Sequence, residues 1–279
     1  MNVWAHNLQI LAAFFYLLAF VAGISVVFGN KKEIERGQAK RSTVFLLLAF
    51  VLQTAGLLWE GLAIQRCPLG SISDVLEIIS WSLVVMFWIV GTAYRMSLLG
   101  LFTSALAAIF AIAASFAGGN GNFGVVSPTI LAHAWLSLFS YGAFGIMAIV
   151  STMYLLQLHG LKKRRFAPLF NLLPSLRELE RVNFRLLTTA VSVYTVAIAI
   201  GAWRYFSSGG DLSAAKLFFA FLAWFGYFFA LVFKLSGRLH GRRLAYALLI
   251  VFAIALAVLV PIGMSHAGNV ETPQKETFL

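Results

Sequence analysis

Residues 129–157 read TILAHAWLSLFSYGAFGIMAIVSTMYLLQ, a stretch without a single Asp, Glu, Lys or Arg. A helix needs about 20 predominantly apolar residues to cross the hydrocarbon core of a bilayer, so this stretch is long enough to span it. Backbone N–H and C=O groups in lipid must be satisfied within the protein, which favours a helix for a run of this length. The stretch predicts a membrane-spanning α-helix and decides the class of fold.

The composition of the whole chain agrees with this stretch. Hydrophobic residues make up 61% and charged residues 11% of the 279 residues, and the mean hydropathy is +0.88. Such a chain has too little polar surface to cover a soluble globule. We therefore expect an all-α, polytopic integral membrane bundle that forms a single membrane domain over residues 1–279.

Eight apolar runs are long enough to be membrane spans. We predict them at about 8–28, 43–65, 74–94, 97–118, 129–157, 186–206, 213–234 and 244–264. The polar residues 267–279 are expected to form a disordered tail.

One connection, residues 158–185, is longer than the others and carries its own pattern. Apolar and basic residues recur there at helical spacing: Leu172, Leu176, Leu179 and Val182 on one side, Arg177, Arg181 and Arg185 on the other. This pattern predicts a cytoplasmic helix lying in the membrane interface, with its cations toward anionic lipid headgroups.

The basic residues are distributed unevenly between the two ends of the bundle. Of the 21 Lys and Arg residues, 17 fall in the connections at one end. Lys and Arg accumulate in cytoplasmic loops, so both termini are expected outside, in the periplasm, with the chain multi-pass in the bacterial inner (plasma) membrane. The net charge of +11 follows from this bias, and its spread over several loops gives no footprint for nucleic acid.

A polar stripe begins at His133, near the outer end of the fifth span. Ser137, Ser140 and Tyr141 follow at i+4, i+7 and i+8, so all four residues share one helix face. Such a stripe is suited to interhelical hydrogen bonds, and a histidine at a span end is often an interfacial residue. A metal-ligand role for His133 is the alternative interpretation.

His266 ends the eighth span at the same expected depth as His133. Neutral imidazole nitrogens are suitable axial ligands for haem iron, so the two residues form a candidate haem site. Cys67 is the only cysteine, which excludes a Cys-x-x-Cys motif for covalent attachment. Haem b would therefore be held non-covalently. His6 is a third outer candidate, whereas His159 and His240 lie in basic cytoplasmic connections.

Acidic residues are predicted to gather at the same outer end. Glu60 lies near the end of the second span, and Asp74, Glu77 and Trp81 share a face at the start of the third. These carboxylates could orient a ligand histidine or pair with arginine. Helix capping by Asp74 and a favourable helix dipole at Glu77 are the alternative, which leaves Glu60 unexplained.

Several stretches together resemble the cytochrome c assembly family, which groups the CcsA and CcmC haem-delivery proteins with HemX-like membrane proteins. The stretches are Pro68-Leu69 with Asp74 to Trp81, Leu131 to Trp135 with Ser140-Tyr141 and Tyr154 to Gln157, Leu173 to Glu180 with Arg185, Gly201-Ala202-Trp203, His240 to Arg243, and Gly263 to His266. The resemblance covers roughly residues 60–266 in several short motifs.

This resemblance implies haem at the outer face, with His133 and His266 as axial ligands on either side of a tryptophan-rich loop. Here that loop, residues 203–216, keeps few of the expected side chains: Trp203, Tyr205, Asp211 and Lys216. The family also implies a second cytochrome c biogenesis subunit and apocytochrome c as partners. Trp203 and Tyr141 are the expected pocket residues, supported by Glu60, Glu77, Trp81 and Asp211.

The sequence thus predicts a haem-handling protein of cytochrome c assembly that catalyses no bond change of its own. A regulatory or scaffold protein of haem metabolism, HemX-like and without bound haem, is the second interpretation, and its contact surface would be residues 158–185. A small-solute permease is the third, suggested by the intramembrane residues Glu60 and Gln53.

Overall fold

The structure is a computed structural model that describes residues 3–28, 32–64, 71–94, 98–117, 128–162, 173–207 and 214–266. This part of the chain is all-helical and contains eight helices. They are α1 (Val3–Phe28), α2 (Lys32–Ile64), α3 (Ile72–Tyr94), α4 (Leu99–Ala117), α5 (Pro128–Lys162), α6 (Leu176–Ser207), α7 (Ala214–Leu235) and α8 (Gly241–His266). The expected tail, 267–279, lies outside the described residues.

The predicted class of fold is confirmed. Seven of the eight described helices contain a segment long and apolar enough to cross a membrane, and α7 contributes a shorter apolar segment, Ala220–Leu235. Several helices exceed the predicted spans because polar turns continue them beyond the apolar core. The helix α2 begins at Lys32, for example, and α5 continues to Lys162.

The helix α5 is the centre of the bundle. Every residue from Ser140 to Ser151 is buried, and α5 packs against α3, α6 and α8. The first two helices pair with each other, and α1 also packs on α4, which in turn contacts α3. The protein therefore surrounds α5 on several sides instead of leaving one of its faces to lipid.

Small residues allow the closest of these contacts. A Cβ atom added to Gly142 of α5 would lie only 2.6 Å from the backbone carbon of Ser82 in α3. The Ser82 hydroxyl donates a hydrogen bond to the Leu138 carbonyl of α5 at 3.2 Å. Helix association in membranes depends on such close backbone approach and interhelical hydrogen bonds.

The segment expected in the membrane interface is arranged differently. Residues 176–185 are the first turns of α6, continuous with the sixth span, and residues 163–172 lie outside the described part. Leu179 and Val182 are fully buried in the protein core. The amide of Asn183 donates to the Ser151 hydroxyl of α5 at 3.0 Å. The apolar face of this segment therefore packs on protein, because α5 offers it a partner that the sequence pattern does not reveal.

Replacing Gly142 with alanine is expected to destabilise the bundle by about 1–3 kcal/mol, since the new methyl group forces α3 and α5 apart. Thermal unfolding of the purified protein in detergent measures the loss. Gly56→Ala is the matched control, because a Cβ there meets its nearest atoms at 3.4 Å, an ordinary contact. Equal unfolding temperatures for the two variants would contradict the close α3–α5 contact.

Candidate functional site

His133 is held between two helices. It lies in the second turn of α5, and its Nδ1 is 2.6 Å from the Ala197 carbonyl oxygen of α6. A carbonyl oxygen only accepts hydrogen bonds, so Nδ1 carries the proton and donates it. In the neutral imidazole the lone pair then belongs to Nε2. A backbone carbonyl on one ring nitrogen is the usual arrangement that orients the other nitrogen toward a metal.

The imidazole of His133 packs against Gly201 of α6. A Cβ atom at Gly201 would come within 2.7 Å of both Cε1 and Nδ1 of the ring. Any larger residue at position 201 would therefore displace the ring. The sequence indicated His133, but it did not identify Ala197 or Gly201, because both lie more than 60 positions away along the chain.

The end of α8 lies toward the end of the bundle where α5 begins. The two helices run antiparallel: Gly241 lies against Tyr154, and Phe252 lies against Gly145. Eleven residues of α8 thus pass nine residues of α5, and because α8 stays helical to His266, its end extends toward the first turns of α5. The side chain of His266 lies outside the described side chains.

An aromatic cluster lies on the α3 side of α5, close along the helix to His133. Trp135, two residues further along α5, meets Trp81 of α3 edge to face, with ring centroids 6.0 Å apart. Trp81 also stacks on Phe50 of α2 at 5.9 Å and donates from its indole nitrogen to the Thr54 hydroxyl at 2.9 Å. Trp81 was predicted as a supporting residue, whereas Trp135 and Phe50 were missed because a lone aromatic residue in a span carries no distinctive pattern.

Tyr141 lies deeper in the bundle than His133. Eight residues separate them on α5, which corresponds to about 12 Å along the helix axis. The Tyr141 ring is buried and packs edge to face on Phe144 and Tyr194, each at 6.0 Å. Phe144 in turn stacks on Tyr227 of α7 with centroids 3.6 Å apart. These rings form an aromatic floor beneath the His133 level.

The carboxylates Glu60 and Glu77 are bound by amides. Gln9 of α1 donates to Glu60 at 3.4 Å. Gln53 of α2 donates to Glu77 of α3 at 2.6 Å and accepts a hydrogen bond from the Tyr16 hydroxyl, also at 2.6 Å. In the described part of the chain their side-chain partners are therefore amides, and these hydrogen bonds connect α1, α2 and α3.

Asp74 belongs to a capping box at the start of α3. The Ser71 hydroxyl accepts from the Asp74 backbone N–H at 3.2 Å, and the Asp74 carboxylate accepts from the Ser71 N–H at 2.9 Å. Ser71 is thus the N-cap and Asp74 the third residue of the helix. The sequence therefore predicted helix capping at the start of α3 correctly, but the N-cap is Ser71 and not Asp74.

Trp203 is exposed near the end of α6. Its side chain is 76% accessible and does not pack into the bundle. The loop residue Asp211 lies outside the described residues, as does the side chain of Tyr205. Among the expected site residues, the described structure places His133 against α6, Trp81 against Trp135 on the α3 side of α5, and Trp203 at the surface.

Comparison with known proteins agrees with this architecture. The family described as Cytochrome C assembly protein matches residues 69–265, which run from just before α3 almost to the end of α8. The chain belongs to the cytochrome c assembly family. The recognition made from the short motifs is thereby confirmed, and α1 and α2 precede the matched part.

Two relatives of this cytochrome c assembly family member carry the name Protein HemX. The one from Brevibacillus brevis is 28% identical over 202 residues, which cover 71% of this chain and 72% of the relative. The one from Bacillus subtilis (strain 168) is 24% identical over 236 residues, covering 80% and 84%. The family places this chain among haem-related membrane proteins.

Replacing Gln53 with leucine is expected to cost roughly 1–3 kcal/mol for each buried group that loses its partner, here the Tyr16 hydroxyl and the Glu77 carboxylate. Unfolding in detergent measures the loss. Adding Tyr16→Phe should recover part of it, because that change removes one orphaned hydroxyl. Ser25→Ala, at an exposed site on α1, is the control. If the stability losses of Gln53→Leu and Tyr16→Phe simply add in the double variant, the hydrogen-bond network of Tyr16, Gln53 and Glu77 is contradicted.

Proposed function

We propose that the chain binds haem b non-covalently at the end of the bundle where α5 begins and α8 ends. His133 and His266 would be the axial ligands, and the protein would handle or deliver haem during cytochrome c assembly. Membership of the family and the antiparallel register of α5 and α8 support this proposal. By the cation count, this end faces outward from the bacterial inner membrane.

The orientation of His133 is the observation that carries the proposal. Its Nδ1 proton is committed to the Ala197 carbonyl, so Nε2 has the lone pair that an iron ligand needs. The haem would supply an iron centre able to take two such nitrogens. The protein's part is to hold the imidazole in one tautomer and one orientation before the ligand arrives.

The pocket wall would be built partly from the bundle itself. Trp135, two residues after His133 on α5, pairs with Trp81 on the α3 side, and this pair would offer an apolar aromatic surface to a porphyrin edge. The exposed ring of Trp203 is available to stack from the α6 side. Tyr141 would form the floor of the pocket, and Asp211 remains a predicted neighbour of the haem. Glu60 and Glu77 would act indirectly, by holding α1, α2 and α3 together.

This function involves no bond change catalysed by the protein. Its partners would be haem, a second cytochrome c biogenesis subunit and apocytochrome c. Because loop 203–216 keeps only a few of the aromatic and charged residues expected for haem presentation, we place the protein in haem handling, with the partner subunit supplying the missing surface.

The exposure of Trp203 favours a second function, that of a HemX-like regulator or scaffold without bound haem. An exposed indole suits a contact with another protein as well as a contact with haem. This second function predicts a partner that still co-purifies with the His133→Ala and His266→Ala double variant. It also predicts that the partner is lost when Arg177, Arg181 and Arg185 are changed to glutamate.

Changing His133 or His266 to alanine is expected to remove or shift the Soret band of the purified protein, because each change removes one axial nitrogen. The absorption spectrum of protein isolated from haem-replete cells measures this. His159→Ala and His240→Ala, at the basic end of the bundle, should leave the spectrum unchanged. Added imidazole should restore the band of His133→Gly, and a normal band in both alanine variants refutes the ligand assignment.

Changing Gly201 to alanine should alter the haem site without removing a ligand. The new methyl group would push the His133 ring away from Ala197, so we expect a shifted Soret band and faster transfer of haem to apomyoglobin. The effect should be smaller than that of His133→Ala. Gly56→Ala, in α2, is the control, and an identical spectrum and transfer rate in Gly201→Ala would argue against His133 as a ligand.

A further inference from the structure

A cavity of about 300 Å³ opens at the basic end of the bundle, far along α5 from His133. Five residues line it: Arg177, Glu180, Arg181 and Phe184 of α6, and Lys234 at the end of α7. The cavity is thus walled by two neighbouring helices and contains three cations against one carboxylate. Its composition indicates an anionic ligand.

The carboxylate in this cavity, Glu180, already has partners within the protein. Glu180 pairs with Lys234 and also accepts the backbone N–H of Gly241 at 3.4 Å. Arg177 and Arg181 are exposed, and among the described residues neither has a carboxylate within ion-pair distance. The cavity therefore presents two guanidinium groups whose charge the described protein does not neutralise.

An uncharged surface continues from the cations toward the middle of the bundle, and its threonine hydroxyls donate to backbone carbonyls of α6. On α6, Phe184, Thr188 and Thr195 share the face of Arg177 and Arg181, because they follow at spacings of three, four and seven residues. From Arg181 to Thr195 this face is about 21 Å long, more than the thickness of one hydrocarbon leaflet, about 15 Å.

The α7 side of the same surface is aromatic and aliphatic. Trp224 donates to the Thr195 hydroxyl at 2.9 Å and stacks on Phe228 with centroids 4.9 Å apart. Leu231 lies between these rings and Lys234 along the helix, and both Phe228 and Leu231 are partly exposed. The two helices thus form a groove with a cationic end and an apolar length.

We propose that this groove binds one anionic phospholipid, with the headgroup phosphate between Arg177 and Arg181 and an acyl chain along Phe184, Leu231 and Phe228. Guanidinium groups bind phosphate oxygens through paired hydrogen bonds, and anionic headgroups concentrate at the cytoplasmic surface. The apolar part of the groove favours a lipid over free phosphate, because a soluble anion would contact only the cationic end.

The lipid site is tested by titrating the full-length, delipidated protein in detergent with dioctanoyl phosphatidylglycerol, dioctanoyl phosphatidylcholine or sodium phosphate. The unfolding temperature reports binding, because a ligand specific to the folded state raises it. Phosphatidylglycerol should raise the unfolding temperature most. A full response to phosphatidylcholine would overturn the anion site, and a full response to sodium phosphate would overturn the lipid.

The variant Arg177→Gln with Arg181→Gln should bind phosphatidylglycerol roughly 30-fold more weakly, from the usual contribution of two basic residues near an anionic surface. Arg242→Gln with Arg243→Gln removes the same charge from exposed positions at the same end of the bundle and is the matched control. Equal losses in the two double variants would overturn the site, since they would indicate only general electrostatic attraction.

Glu180→Gln separates binding from a structural role. The change frees Lys234 for the phosphate and keeps an oxygen that accepts the Gly241 N–H, so phosphatidylglycerol should bind several-fold more tightly. Weaker binding by Glu180→Gln would mean that the ion pair only shapes the helix ends, and would overturn the proposal. High salt should reduce the difference between the two lipids.

Discussion

The burial of the central turns of α5, residues 140–151, is the constraint on which the rest of the structure depends. A helix enclosed by protein through its central turns must accept neighbours at short distance on several faces, which explains Gly142 against Ser82 and Gly145 against Leu83. The same enclosure provides α6 with a packing partner, and α8 runs antiparallel to α5. The positions of His133 and of the α8 end both follow from this central helix.

The cost of a polar group inside a bilayer explains most of the remaining interactions. Each buried carboxylate or amide needs a partner from another helix, because lipid offers none. Glu77 finds Gln53, Glu60 finds Gln9, and Asn183 finds Ser151. These pairs connect helices at both ends of the bundle, so polar residues that look functional in isolation also serve to fix helix positions.

The bundle separates two kinds of chemistry along its axis. At one end a carbonyl orients the imidazole of His133, the proposed haem ligand. At the other end Arg177 and Arg181 line the cationic part of the groove between α6 and α7, an arrangement suited to binding phosphate. The aromatic floor around Tyr141 lies between them, so the two proposed sites are independent of each other.

Individual helices illustrate what a sequence pattern specifies and what it leaves open. The α4 span was expected at 97–118 and observed at Leu99–Ala117, because uninterrupted apolar runs define such helices directly. The start of α6 was expected in the membrane interface, yet Leu179 and Val182 are buried in the core. An amphipathic pattern records that one face is covered but not whether lipid or protein covers it.

The sequence by itself determined the membrane class, the eight helices and the family, since hydropathy and spacing are properties of segments of about 20 residues. Only the tertiary structure decided the proton position on His133, the packing of its ring against Gly201, the amide partners of Glu60 and Glu77, and the α6–α7 groove. Those features join residues from 24 to 68 positions apart, and such contacts depend on how helices pack instead of on how any one of them forms.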